Sequence, residues 1–282
     1  MTGFININKG EGVSSAKEVS RIKRLTGVPC GHMGTLDPMA TGVLPVAIGN
    51  AARLFDYFLD KRKTYIATFR FGIDTDTLDT TGNIIKEGGR VPSAEEISAI
   101  IPEFIGEIDQ IPPKYSAKSV NGRRGYSLAR AGVEFELPAK KVKIYSINLI
   151  GANGNDGYDF EIECGGGTYI RSLARDIGAS AGTCAVMSAL KRTRSGFFSI
   201  ENSVSSEDLS AENISEFIIP TDSVIDFESI YPDEREAKKL FNGLAIGYDR
   251  ADGIYKIYCP DSTFYGLAEV RGGILKVRTK LC

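Results

Sequence analysis

A chain of 282 residues with 42% hydrophobic and 25% charged side chains has the composition of an ordinary globular protein, long enough for a sizeable core and more than one domain. No apolar stretch is long enough to cross a bilayer as a helix, and residues 1–9 lack the basic start and apolar core of a signal peptide, so cytoplasmic residence is the expectation. The net charge of −2 speaks against a nucleic-acid partner only superficially: residues 201–240 hold eleven acidic and three basic side chains, leaving +6 on the rest, and residues 110–130 carry five cations and no acid. Such segregation fits a phosphate-binding surface as well as a set of solvated faces.

Phe4-Ile-Asn-Ile-Asn8 alternates as a strand does and ends in the turn Lys9-Gly-Glu-Gly12. Ser15 and Glu18 read as a capping box, and Ala16, Val19, Ile22 and Leu25 recur at helical spacing before Gly27 and Pro29 close the helix. The opposite side carries Lys17, Arg21, Lys23 and Arg24, either a solvated face or an RNA contact.

The stretch from Gly31 to Arg53 holds four glycines, two prolines, the only histidine (His32) and one acid, Asp37. Glycine permits positive φ and proline fixes φ while removing a donor, so its first half is an ordered loop. Val43–Ile48 reads as a buried strand, with Pro45 at its start or at a bulge. A loop feeding a buried strand can hold a single carboxylate, Asp37, at the edge of a cleft, although Asp-Pro is also a common turn opener.

Lys63–Gly72 alternates as a strand, and Asp74–Gly82 is a polar loop whose three aspartates lack the terminal glutamate of a calcium-binding EF-hand. Ser93 with Glu96 caps a second helix running through Ile97, Ile100 and Ile101 towards Phe104. Gln110–Gly132 is basic, contains two tyrosines and ends in a predicted short helix around Ser127–Ala131; cations interleaved with aromatics suit backbone contacts and base stacking, and also an exposed insertion. Val142–Ile150 and Tyr158–Cys164 form neighbouring strands. Gly165-Gly-Gly167 then leads into a Thr168-capped helix with Tyr169 and Arg171 in its first turn, without the Lys-Ser/Thr of a nucleotide-binding P-loop. After the acidic stretch, Glu234–Asn242 reads as a helix and Tyr255–Cys259, Phe264–Val270 and Ile274–Thr279 as strands. The five cysteines stand apart without zinc-like spacing, so no metal site is expected.

His32-Met-Gly-Thr-Leu-Asp37-Pro-Met-Ala-Thr-Gly42-Val-Leu-Pro45 resembles the catalytic signature of the TruB-type tRNA pseudouridine synthases. Pro112-Pro-Lys-Tyr115-Ser-Ala, Gly167-Thr-Tyr169-Ile-Arg171 and Leu190-Lys-Arg192 resemble further segments of that family, in family order, and the similarity runs from Lys9 to Arg278. The resemblance implies an α+β pseudouridine synthase fold, with a mixed, mainly antiparallel sheet flanked by helices. It further implies a catalytic domain over 1–232 with an RNA-binding insertion near 98–140, and a small PUA-like β domain over 233–282.

The implied enzyme is an isomerase acting on uridine 55 of the tRNA T loop. It would cleave the N1–C1′ bond, rotate the uracil and rejoin it through C5, with no cofactor and no metal. Asp37 would be the reacting carboxylate and Tyr65 would stack on the uracil. Arg171 would hold Asp37 charged by lowering its pKa. Tyr169 would orient groups, Leu190 would line the uracil pocket, and His32, Lys9, Lys114 and Arg123 would contact substrate. The expected partner is the T arm of tRNA, with no membrane, no obligatory protein partner and a monomeric enzyme. A guide-RNA-dependent pseudouridine synthase and a non-catalytic tRNA-binding or folding protein are the alternatives. The tRNA-type insertion argues against the first, and the presence together of Asp37, Tyr65 and Arg171 against the second.

Overall fold

The computed structural model describes residues 1–59, 61–116, 119–120, 123–124, 131, 133 and 135–282, with backbone alone for 59, 119–120 and 123–124. Residues 127–130 of the helix predicted around Ser127–Ala131 lie outside the described residues.

Alternating and apolar runs form the strands β1 (Gly3–Lys9), β2 (Cys30–His32), β3 (Thr41–Ile48), β4 (Lys63–Phe71), β5 (Gly106–Gln110), β6 (Lys140–Asn153), β7 (Gly157–Cys164), β8 (Ala185–Ser195) and β9 (Phe198–Ser199). Among the described residues they make one nine-stranded sheet of order β1-β3-β8-β4-β7-β6-β5, with β2 on β3 and β9 on β8. The β3–β8 pair is parallel and the remaining pairs are antiparallel, so the sheet is mixed and mainly antiparallel as the sequence implied. In β4 every second side chain (Lys63, Tyr65, Ala67, Phe69, Phe71) turns inward, the period-two pattern of a half-covered strand. The covering helices α1 (Ser15–Thr26), α2 (Ala94–Ile100) and α3 (Ile170–Ser180) contribute Ile22, Ile97, Leu173 and Ile177 to the same core.

Local chemistry departs from the sequence reading at three points. The cap of α1 is Ser14, whose hydroxyl accepts from the Lys17 N–H, and Gly27 ends the helix in the left-handed region at φ 70°. Ser15 instead reaches into the neighbouring loop. Thr168 does not cap α3: its hydroxyl bonds the Gly165 carbonyl, and Tyr169 occupies the cap position without a side-chain bond. Pro45 lies in the middle of β3, paired with Asn6. Its carbonyl accepts from Met33 N–H at 2.8 Å on the side away from β1, so the missing N–H falls between the stretches of β3 paired with β8 and β2.

A second sheet joins β10 (Ser229–Ile230), β11 (Ile246–Gly247), β12 (Gly253–Tyr258), β13 (Phe264–Arg271) and β14 (Ile274–Lys280) in the order β10-β12-β13-β14-β11, with helix α4 (Glu234–Phe241). Leu267 and Leu281 pack into one apolar cluster with Phe4, Val43, Ala51 and Leu54 of the first unit. Asn50 Nδ2 and Arg53 donate to the carbonyls of Leu281 and Lys280 at 2.9 and 2.7 Å, so the end of the small sheet is tied to the short 3-10 helix Gly49–Leu54 that follows β3.

Candidate active site

Asp37 sits in the loop between β2 and β3, and the residues on either side of it are clamped. Ser15 Oγ donates to the Leu36 carbonyl at 2.8 Å and accepts from the Leu36 N–H at 2.9 Å. The Pro38 carbonyl accepts from Lys9 Nζ at 3.1 Å and from Gly12 N–H at 2.8 Å. Further along, Gly42 (φ 96°) lies so close to β8 that a Cβ would strike the Arg192 carbonyl, which explains the glycine. The buried Arg192 ties the loop from beneath, donating to Val43 and Gly34 carbonyls at 2.7 and 3.1 Å. The backbone is thereby fixed while the Asp37 carboxylate stays about a third exposed, at 34%.

Arg171, in the first turn of α3 and 6% exposed, is the hub of the site. Its Nε lies 2.9 Å from Asp37 Oδ2 and its Nη1 lies 3.4 Å from Asp79 Oδ2. Nη1 also donates to the Thr77 carbonyl at 2.9 Å and Nη2 to the Tyr115 carbonyl at 3.0 Å. One planar cation thus joins the Asp37 loop, the 74–82 loop and the segment after β5, a task that suits the fixed fork of a guanidinium. Asp79 is the partner that the sequence reading missed. It is 4% exposed, and its Oδ1 accepts from Thr77 Oγ1, Thr81 N–H and Thr81 Oγ1 at 2.8, 3.0 and 2.5 Å. The threonines around it are the signal that could have marked it for burial.

A cavity of about 240 Å³ opens above this hub, walled by Tyr65, Tyr169, Ser116, Leu190 and Met187. The β-sheet register explains the grouping: Tyr65 on β4 stands between Ile162 of β7 and Arg192 of β8, and Leu190 pairs with the next inward residue, Ala67. Burial pushes the Tyr65 and Tyr169 phenols up, with Arg192 and Arg171 respectively pulling them back. Burial also raises the pKa of Asp37; the Arg171 charge opposes this and the Asp79 charge adds to it. Arg171 does lower the Asp37 pKa, as expected, but burial is the larger effect and the net direction is upward, which corrects the expectation that the guanidinium alone sets it.

The other candidates lie further out. Lys9 is fully buried, and its ammonium is engaged by the carbonyls of Gly10, Val13 and Pro38, so it shapes the loop rather than facing the cavity. His32, on β2, is half-buried just before the lining residues Met33 and Gly34, with Nδ1 enclosed and without a hydrogen bond. Burial and Arg192 hold its imidazole below the usual pKa. Lys114 is exposed in the wall of a wider cleft of about 670 Å³, together with Tyr115 and Arg175. The Arg123 side chain lies outside the described residues.

Residues 22–170 match the TruB family pseudouridylate synthase N-terminal domain, and residues 171–226 match the tRNA pseudouridylate synthase B C-terminal domain. The chain is 40% identical over 276 residues to the tRNA pseudouridine synthase B of Clostridium kluyveri, covering 95% of both chains. It is 41% identical over 283 residues to that of Clostridium tetani, covering 95% of this chain and 96% of the relative. Among solved structures, a chain of a Cbf5-Nop10-Gar1 complex superposes with a TM-score of 0.72 at 24% identity, covering 99% of this chain and 85% of the other, a likeness of fold.

Proposed function

The chain belongs to the TruB family of pseudouridylate synthases, and on that premise we propose that it isomerises uridine 55 in the T loop of tRNA to pseudouridine. The observation that carries the reading is the Asp37–Arg171 pair at 2.9 Å, at the floor of a cavity walled by two tyrosines and a leucine. The names of the relatives, tRNA pseudouridine synthase B, support tRNA as the substrate.

The reaction breaks the N1–C1′ bond of a uridine, turns the uracil and forms a C5–C1′ bond. The C5 hydrogen leaves as a proton and N1 gains one, so the product is an isomer. Asp37 acts ionised, as nucleophile or base. Attack at C1′, attack at C6 and removal of the 2′ proton all require this one carboxylate beside the nucleotide. A raised pKa makes it a better base once ionised. Tyr65 stacks on the uracil, Tyr169 orients it, and Leu190 with Met187 keeps water from the detached base. The target is a base in a folded loop, so it is extruded at a cost of a few kcal/mol in unstacking, and His32 binds near the mouth of the cavity. Lys114, Arg123 and the basic 110–130 segment hold the RNA backbone. The small C-terminal sheet adds RNA contacts as a PUA-like domain over 233–282.

Tritium release from an unmodified tRNA transcript labelled at C5 of uridine, with this protein alone, tests the reading. Release that disappears when uridine 55 is replaced by cytidine is expected. Release only after adding guide RNA and partner proteins would move the chain to the guided class. Binding without release would make it a non-catalytic tRNA binder.

A further inference from the structure

Gln110 closes β5 and is 1% exposed, yet no step of the reaction uses it. Among the described residues its amide bonds Tyr169: Gln110 Oε1 accepts from the Tyr169 N–H at 2.8 Å and Gln110 Nε2 donates to the Tyr169 carbonyl at 3.1 Å. Tyr169 is the cap of α3, and no side chain of α3 returns to satisfy that N–H. In a capping box the cap N–H is bonded by a Glu or Gln three residues on. Here a glutamine from a strand 59 positions earlier takes that place, in the manner of a short β-bridge. The same Tyr169 carbonyl also accepts the Leu173 N–H, so Gln110 grips the group that begins the helix.

The bonds that follow extend the grip. Ser172 Oγ and Arg175 Nη2 donate to the Ile111 carbonyl at 2.8 and 3.1 Å, and Arg171 Nη2 donates to the Tyr115 carbonyl at 3.0 Å. The segment from Gln110 to Tyr115 is therefore laced along the first two turns of α3, and Arg171 lies two residues past the clamped cap.

We propose that Gln110 is a positioning residue: its amide sets the start of α3, and thereby the placement of Arg171 against Asp37, so that the segment entering the RNA-gripping insertion also carries catalytic geometry. The proposal rests on the role given to Asp37 above. It goes beyond that role in assigning a task to a side chain outside the cavity, and in making residues 110–115 of the insertion part of the active-site frame. A guanidinium fork tolerates little displacement, and a shift of about 1 Å in such a frame costs roughly a hundredfold in rate.

The test is single-turnover tritium release by the full-length protein on unmodified tRNA across pH, beside tRNA binding, for wild type, Gln110→Met, Gln110→Glu and Asp37→Asn. The groups facing Asp37 are Arg171, Asp79 and Lys9, with the Tyr65 and Tyr169 phenols in the cavity wall. Gln110→Met keeps the volume and removes both bonds. Its tRNA affinity should stay within about twofold while its rate falls about a hundredfold. The acid limb should move to higher pH, because a displaced Arg171 no longer opposes the effect of burial on Asp37. In Gln110→Glu a protonated carboxyl can make both bonds and an ionised one only the bond from N–H, so its deficit should shrink as pH falls. Wild-type rate in Gln110→Met overturns the proposal, as does a slower rate with an unmoved acid limb. If Gln110→Met does not fold, Gln110→Glu decides alone, and a deficit independent of pH overturns it. Turnover by Asp37→Asn would instead remove the reading beneath; an inactive Asp37→Asn beside an unaffected Gln110→Met would remove this inference only.

Discussion

Loops 31–42 and 74–82 each present one aspartate to the same guanidinium, and they treat it in opposite ways. Asp79 is enclosed, with one oxygen taken by three donors from Thr77 and Thr81 and the other facing Arg171. Asp37 has Arg171 on one oxygen and the cavity beside it, while its neighbours Leu36 and Pro38 are held by Ser15, Gly12 and Lys9. One loop satisfies the carboxylate; the other satisfies the backbone around it and leaves the carboxylate beside the cavity. A buried carboxylate with its partners made is a structural anchor, whereas the reacting role proposed for Asp37 asks for a rigid backbone and a carboxylate within reach of the substrate.

The largest break in this contrast is Asp37→Asn. Turnover should fall by about 10⁴-fold or more, the scale for loss of an essential reacting group, while tRNA affinity is retained. The same change should raise thermal stability at neutral pH. The folded pKa of Asp37 lies above its ordinary value, so the ionised form is penalised in the folded state. That penalty is complete above the folded pKa and absent below the unfolded one. The melting-temperature gain of Asp37→Asn should therefore vanish as pH drops below the ordinary carboxylate range, and a variant less stable than wild type at pH 7 would contradict this sign.

Arg171→Met removes what the two loops share. Asp79 is left buried without its cation, and losing one partner of a buried pair costs about 3–5 kcal/mol. A urea titration should show that loss. Loss of activity in this variant reports both loops together, which makes it a coarser probe than either aspartate alone.

How much of this arrangement was readable beforehand follows from what each residue needs in order to be recognised. Tyr65 and its strand are set by local alternation, and the β4 burial pattern follows it residue by residue. Asp37 and Arg171 stand in recognisable strings, so their meeting could be anticipated. Asp79 stands in a Thr- and Asp-rich loop that looks like any solvated turn until Arg171 arrives from a distant helix. Gln110 looks like the polar end of a strand, because its partner is the backbone of Tyr169 and backbone leaves no mark on sequence spacing. The sequence puts the cap of α1 one residue late because Ser14 and Ser15 are adjacent and either can precede the helical repeat; only the Leu36 loop distinguishes their tasks. The direction of the Asp37 shift was missed for a related reason: a nearby cation is visible in sequence, and the loss of solvent around the carboxylate is not.

Asp79→Asn sharpens the contrast with the smallest disturbance. The amide keeps the size and can still accept from Thr77 and Thr81, but the negative charge facing Arg171 is gone. Weakening charge-assisted bonds to a buried group should cost on the order of 1–3 kcal/mol, seen as a lowered urea midpoint. The effect on the reaction should be more informative than its size. Asp79 raises the pKa of Asp37 by like-charge repulsion, so removing its charge lets Arg171 act on Asp37 alone, and the Asp37 pKa should fall. The acid limb of the single-turnover rate should then move to lower pH, opposite to the shift expected for Gln110→Met. Measured together, the two variants separate the charge on Arg171's second partner from the geometry of its first. A limb that moves the same way in both would mean that Asp79 acts on Asp37 by placing Arg171, not through its own charge.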